Sequence, residues 1–101
     1  MDKDGWRKFL ELMAEESDLA RLEELSRLLF TAEERDAISK RIRIIEELLK
    51  EEKTQREIAA DFHLSIAKIT RGSNALKEIG PKMKRVLKKK LIPFLKNKVQ
   101  N

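Results

Sequence analysis

The 101-residue chain has no cysteine and no tyrosine, and it contains only two prolines and three glycines. Without cysteine it forms no disulfide and has no thiolate chemistry, and so few prolines and glycines leave little room for long loops. Its apolar runs are far shorter than the roughly 20 residues that span a bilayer. The start, MDKDGW, has no basic segment followed by an apolar one, so no secretory signal is expected. We therefore predict a cytoplasmic protein with no membrane partner.

The residues that enzymes use are also scarce. The only histidine is His63, and we find no glycine-rich phosphate loop and no cluster with metal-ligand spacing. The neighbouring carboxylates at 46–47 and 51–52 are more typical of solvated helix faces than of acid and base pairs. We predict that the chain is not an enzyme, with no catalytic residue and no metal.

Charge is abundant and unevenly distributed. Residues 1–36 have six Lys and Arg against eleven Asp and Glu, whereas residues 77–101 have nine against one. An anionic partner, either nucleic-acid phosphate or an anionic membrane, would be attracted to the second of these segments. The length predicts one domain over residues 1–101, and the modest core of such a short chain favours burial across a dimer interface.

Apolar residues recur at helical spacing along the chain, and no segment alternates as a strand would. The pattern predicts an all-α fold of six helices, with a break near Asp18 between the first two. The stripes are Trp6, Phe9, Leu10 and Met13 in the first helix, Leu22, Leu25, Leu28 and Leu29 in the second, Ile38, Ile42, Ile45 and Leu49 in the third, and Met83, Leu87, Leu91 and Phe94 in the last.

Capping residues predict the other helix boundaries. TAEE at 31–34 and TQRE at 54–57 are capping-box sequences, in which the first hydroxyl and the fourth carboxylate each accept a backbone N–H. They are expected to open the third and fourth helices. Ser65 is the predicted cap of the fifth helix. Gly80-Pro81 separates the fifth from the sixth, a basic helix over about 81–97, which Pro93 should kink or end.

Residues 55–71, QREIAADFHLSIAKITR, have the spacing of a helix-turn-helix, and we place that unit at about 54–75. The turn position requires a positive φ and is often glycine. Here it is His63, a residue type that enters that region more often than most. Small Ala59 suits the close crossing of two helices. The other apolar positions of the motif are Ile58, Phe62, Leu64, Ile66 and Ile69.

Three strings resemble the tryptophan-repressor family: RIRIIEELL at 41–49, TQRE at 54–57 and ITRGSNALK at 69–77. The similarity extends from about Trp6 to Leu87. The resemblance implies a homodimer of two intertwined six-helix chains, each placing a recognition helix in the major groove of a palindromic operator. It also implies a transcriptional repressor whose partner is double-stranded DNA and whose corepressor is L-tryptophan.

The resemblance also implies which residues bind the ligand and the DNA. Two guanidinium groups, Arg41 and Arg71, would sandwich the indole, and arginine suits this role because it stacks on aromatic rings and binds carboxylates with paired donors. The backbone carbonyls of Leu28 and Phe30 would hold the ligand amine. Lys68 and Ala75 depart from the family, which has a threonine and a serine there. The implied tryptophan site is Leu28, Phe30, Thr31, Arg41, Lys68, Arg71, Gly72 and Ala75, and the implied DNA contacts are Gln55, Arg56, Ser65, Ile66, Ala67, Thr70, Ser73 and Lys77.

Two alternatives remain open. A DNA-binding regulator of the same fold could act without a ligand or with an altered one, because Lys68 and Ala75 change the predicted pocket. The basic segment 82–98 could be a dimer-core helix with a solvated cationic face, which we favour. It could instead add phosphate contacts, or lie on a membrane surface.

Overall fold

A computed structural model describes residues 1–92, and within that range it consists of six α-helices and no strand. The predicted all-helical class is confirmed. None of the described helices is both long enough and apolar enough to cross a membrane. The chain divides into two compact units, Met1–Ala37 and Ile38–Asn101. The helices are α1 (Lys3–Glu15), α2 (Leu19–Leu29), α3 (Ala32–Lys50), α4 (Gln55–Phe62), α5 (Ile66–Glu78) and α6 (Pro81–Leu91).

Side-chain caps start the first three helices. The Asp2 carboxylate accepts the N–H of Gly5 at 3.0 Å, and Asp18 accepts that of Ala20 at 2.8 Å, which confirms the break before α2. At the start of α3 the predicted capping box is present. The Thr31 N–H donates to Glu34 Oε1 at 2.8 Å, and the Glu34 N–H donates to Thr31 Oγ1 at 3.1 Å.

Helices α1 and α2 of the first unit meet through an aromatic cluster. The ring of Phe9 stacks on Trp6 with centroids 4.9 Å apart and meets Phe30 edge-on at 5.7 Å. Between the helices, Arg21 Nε lies 2.5 Å from Glu16 Oε1, and this hydrogen bond holds the pKa of Glu16 below its ordinary value. Neither α1 nor α2 contains a fully buried residue, so their apolar side chains stay partly accessible in the single chain.

The core of the second unit lies where α4 and α5 pack on the C-terminal half of α3. Ile44 of α3, Ile58 and Ala59 of α4, and Ile69 of α5 are buried together. Of the predicted α3 stripe, Leu49 is buried, but Ile38 and Ile42 are 46% and 44% exposed. The α3 residue that α4 and α5 cover is instead Ile44, which is not part of the predicted stripe.

The end of α3 and the start of α6 follow from local backbone chemistry. After α3, Glu51 adopts a positive φ of 57°. Gly80 is the N-cap of α6 and Pro81 is its first residue, where the missing N–H of proline has no helical partner to lose. Helix α6 ends at Leu91. The predictions for Pro93, Phe94 and the basic helix beyond residue 92 lie outside the described residues.

Candidate nucleic-acid interface

The unit formed by α4, a short turn and α5 is a helix-turn-helix, as the spacing predicts. His63 has φ 55° and ψ 44°, in the left-handed region. Its N–H donates to the Ala60 carbonyl at 3.2 Å, and the Leu64 N–H donates to the Ala59 carbonyl at 2.9 Å. This pair of bonds is the closing pattern of a helix C-terminus that turns through a left-handed residue. The predicted role of His63 is therefore confirmed.

Buried isoleucines fix α4 and α5 on α3. Ile58 and Ile69 are both 0% exposed, and Ile44 of α3 is 4% exposed. Burying an isoleucine side chain stabilises the fold by about 1.5–3 kcal/mol, so these three residues account for much of the local stability. Phe62 and Leu64 pack against the same cluster. The outer faces of α4 and α5 are thereby left to solvent.

Gly72 brings α5 close to α3. It is buried, and a Cβ atom built on it would lie 3.1 Å from Ile44 Cγ2 and 3.4 Å from Leu48 Cδ1. A larger residue would therefore press on the α3 side chains. The structure gives this glycine a packing role that the sequence alone did not indicate, in addition to the ligand role that the family resemblance implies.

The start of α4 is fixed by a second capping box. The Thr54 N–H donates to Glu57 Oε1 at 3.1 Å, and the Glu57 N–H donates to Thr54 Oγ1 at 3.2 Å. The bond from the Thr54 backbone holds the pKa of Glu57 below its ordinary value. Lys53 Nζ lies 2.5 Å from Asp61 Oδ2, and this contact raises the pKa of Lys53. Both carboxylates of α4 are therefore engaged by neighbouring donors, which reduces their repulsion of an anion.

Most of the predicted DNA-contacting residues are accessible on this unit. Ile66 is 46% exposed at the first position of α5. Ser65 is the N-cap residue by position, but its side chain makes no capping hydrogen bond, so the hydroxyl remains available to another acceptor or donor. Gln55 and Ser73 are half-buried, and the exposed members of the set are Arg56, Ser65, Ile66, Ala67, Thr70 and Lys77.

Two of these residues contact each other across the motif. Thr70 Oγ1 donates to Gln55 Oε1 at 2.9 Å, although the residues are 15 positions apart. The same hydroxyl lies 3.0 Å from the Ile66 carbonyl one turn earlier in α5. The first residue of α4 is thus tied to the exposed face of α5, a link that helical spacing does not predict.

The cations predicted at the ligand site are exposed. Arg41 lies on α3, and Lys68 and Arg71 lie on α5. Within residues 1–92, none of the three forms an ion pair. Exposed guanidinium groups without carboxylate partners can bind an anion or stack on an aromatic ring. Ala75 is also exposed, on the last turns of α5.

Three other predicted ligand residues belong to the first unit. Leu28 is 78% exposed. Thr31 is part of the capping box that starts α3. The Phe30 carbonyl, predicted to hold the ligand amine, accepts a hydrogen bond from Arg35 Nη1 at 2.8 Å. Sequence reasoning missed Arg35, because a lone arginine near a helix start gives no signal of the carbonyl that it binds.

A shallow pocket of about 220 Å³ opens beside the turn and was also missed from the sequence. The Arg43 guanidinium lies 5.8 Å from the centre of the Phe62 ring at this place. Since Arg43 and Phe62 are 19 positions apart, only the fold shows that they meet. The pocket is lined by Ser39, Lys40, Arg43, Phe62 and Leu64. No group of three His, Cys, Asp or Glu that could hold a metal occurs in the described part of the chain.

Comparison with known proteins gives a consistent result over most of the chain. Residues 4–91 match the family model described as Trp repressor protein. A "Trp operon repressor homolog" of Chlamydia caviae is 45% identical over 87 residues, covering 86% of each chain. The protein of that name from Chlamydia trachomatis serovar D is 42% identical over 90 residues, covering 89% of this chain and 96% of the other. A third, from Histophilus somni, is 39% identical over 94 residues, covering 93% of this chain and 89% of the other.

Proposed function

The chain belongs to the Trp repressor protein family, and from this premise we propose that it represses transcription by binding operator DNA through α4 and α5. The observation that best supports the proposal is the helix-turn-helix itself. Its inner face is fixed on α3 by Ile58 and Ile69, while its outer face presents Arg56 and the first turn of α5 to solvent. We propose that it acts in the cytoplasm, in contact with the DNA that it regulates.

The outer face has the chemistry that duplex DNA requires. Arg56 and Lys77 supply cations for phosphates. Ser65 and Ala67 are small side chains that fit against base edges in a major groove, and Ser65 adds a hydroxyl. The open N-terminus of α5 adds backbone N–H groups that favour an anion. Together these features support a recognition helix that enters the groove by its N-terminal end.

We propose that two copies of the chain bind a palindromic operator as a homodimer. The exposed apolar side chains support this, because a chain that buries no residue in α1 or α2 leaves the apolar faces of both helices partly exposed to water. Leu19 is 80% exposed, and Leu10 and Trp6 are about half exposed. Ile38 and Ile42 of α3 add to this accessible apolar surface. A second copy that covered these groups would stabilise both chains.

L-tryptophan is the corepressor that we propose. Arg41 and Arg71 support it, since both guanidinium groups are exposed and neither is paired with an acid in residues 1–92. One can stack on an indole while the other binds a carboxylate. Tryptophan would act by favouring the arrangement of the two helix-turn-helix units that fits the operator. Leu28, Phe30, Thr31, Lys68, Gly72 and Ala75 complete the proposed site.

One observation favours the alternative, a regulator with an altered ligand or none. The Phe30 carbonyl already accepts from the cationic Arg35. Its oxygen has a second lone pair, but the nearby guanidinium would repel the ammonium group of an amino acid. The exposed Lys68 is a third cation among the proposed ligand residues, beside Arg41 and Arg71. An indole acid without an amine would avoid the repulsion by Arg35.

The test is operator binding measured with and without L-tryptophan, together with calorimetry of the ligand alone. We expect heat on ligand addition, tighter operator binding, and loss of both in Arg71→Ala. Arg7→Ala, on α1, is a matched control that removes an exposed arginine paired only with Glu11. No heat and no change in affinity at millimolar tryptophan would refute the corepressor while leaving DNA binding intact. We also expect Arg56→Ala to weaken operator binding more than dimerisation.

A further inference from the structure

The hydrogen bond between Thr70 and Gln55 links the two helices of the proposed DNA-binding unit at its solvent-facing surface. Gln55 is the first residue of α4, and its side chain is half-buried. Thr70 lies one turn into α5 and is exposed. Their side chains meet at 2.9 Å, with the hydroxyl as donor and the amide oxygen as acceptor. In this contact the Gln55 amide turns its oxygen toward α5.

A glutamine amide can present either its oxygen or its two N–H donors to a partner. With Oε1 facing Thr70, the Nε2 group is the end that remains for another acceptor. Phosphate oxygens and the N7 and O6 atoms of guanine are all acceptors, whereas an outward amide oxygen would be repelled by each of them. The direction of the Thr70 hydrogen bond is thus the one that suits a nucleic-acid partner.

The Thr70 hydroxyl is itself held in place by its own helix. It lies 3.0 Å from the Ile66 carbonyl as well as 2.9 Å from Gln55 Oε1, so its single proton is shared between two acceptors in a three-centre bond. As a β-branched residue, threonine also has few χ1 rotamers in a helix. Gln55, with three side-chain torsions, would otherwise lose conformational freedom when it binds.

We propose that Thr70 is a positioning residue, which orients the Gln55 amide so that its N–H donors face the operator before DNA arrives. The inference rests on the proposed DNA-binding function and assigns different roles in it to Gln55 and Thr70. Gln55 makes the contact, and the hydroxyl of Thr70 acts through Gln55 instead of making the direct DNA contact that the family resemblance implies. Ordering one such side chain in advance is worth about 3- to 10-fold in affinity.

The experiment is a double-mutant cycle on a duplex that the wild-type protein has selected from a random-sequence library. Thr70→Val removes the hydroxyl and keeps the shape, and we expect it to weaken binding about 3- to 10-fold. Thr70→Ser should restore near wild-type affinity. In a Gln55→Ala background, Thr70→Val should change the affinity by less than about twofold, because the residue that it positions is absent.

The controls separate this role from a structural one. Ser26→Ala removes a hydroxyl that bonds only its own helix, to the Glu23 carbonyl at 2.7 Å, and it should leave DNA binding unchanged. Thr70→Val should lower the ratio of affinity for the selected duplex to that for an unrelated duplex, which a general loss of stability would not do. An equal loss from Thr70→Val in both backgrounds would overturn the proposal and show that Thr70 contacts DNA directly. If the wild-type protein selects no sequence, the proposed function fails and the positioning role fails with it.

Discussion

Replacing Gly72 by alanine is the change that most directly tests the packing of α5 on α3. The new Cβ would lie 3.1 Å from Ile44 Cγ2, which is closer than about nine in ten Cβ contacts in proteins. Ile44 is 4% exposed and its Cγ2 is attached directly to a branched Cβ, so the methyl moves only with a rotamer change or a shift of the helix. Overpacking of this kind costs about 1–3 kcal/mol, and the higher helix propensity of alanine offsets about 1 kcal/mol of that.

We therefore expect Gly72→Ala to lower the free energy of unfolding by about 1 kcal/mol, as measured by urea denaturation at a fixed protein concentration. Gly5→Ala is the matched control, because its Cβ would meet only the Asp2 carboxylate, at an ordinary 3.5 Å or more. That variant should be as stable as the wild type or up to about 1 kcal/mol more stable.

A second substitution identifies the atom responsible. Ile44→Leu removes the Cγ2 branch, whereas Ile44→Val keeps it and loses only the terminal methyl. Added to Gly72→Ala, the leucine change should recover part of the lost stability and the valine change should not. If Gly72→Ala alone proves as stable as Gly5→Ala, or if valine rescues as well as leucine, the close approach at 3.1 Å does not limit the packing.

Three further predictions concern the turn, the cap of α4 and the basic helix. His63→Gly should raise the free energy of unfolding by about 1 kcal/mol in urea, because glycine adopts a positive φ without the cost that other residues incur; an unchanged value would mean that the turn is not strained. Glu57→Gln keeps a cap acceptor but loses the charge. Since the Glu57 pKa is lowered on folding, the wild type should be more stable than this variant near neutral pH. The difference should vanish as the pH falls through the folded pKa, and a difference that persists in acid would show that the charge of the carboxylate is not its cause. Lys88, Lys89 and Lys90 are exposed on α6, and we expect their replacement by glutamine to leave the slope of log K against log salt unchanged. A slope that becomes shallower by about 0.9 per residue would instead show that they contact phosphates.

Local chemistry in the sequence was enough to predict most helix boundaries. A hydroxyl followed three residues later by a carboxylate identified the starts of α3 and α4, because both halves of a capping box lie within four residues. His63 could be assigned a positive φ because the turn of this motif requires it. Such features depend on neighbours along the chain, and the structure confirms them.

Features that depend on packing were harder to predict. The periodicity of α3 suggested one stripe that includes Ile38 and Ile42, yet Ile44 is the residue beneath α4 and α5. A helix with apolar residues on two sides gives no local sign of which side meets which neighbour. The same holds for Gly72, which the resemblance assigns to the ligand site and which is buried against α3 in the structure. The bond between Gln55 and Thr70 depends on the crossing of two helices.

The closing bonds of the turn have a consequence for how such a protein evolves. Because backbone groups make both bonds, most side chains on the outer face of α5 can change without altering the turn, so a population could acquire new operator preferences one substitution at a time. Positions 55 and 70 are not expected to change independently of each other, because their side chains share a hydrogen bond. Libraries randomised at both positions and selected on a new operator should recover them as pairs, while neighbouring Ala67 varies independently.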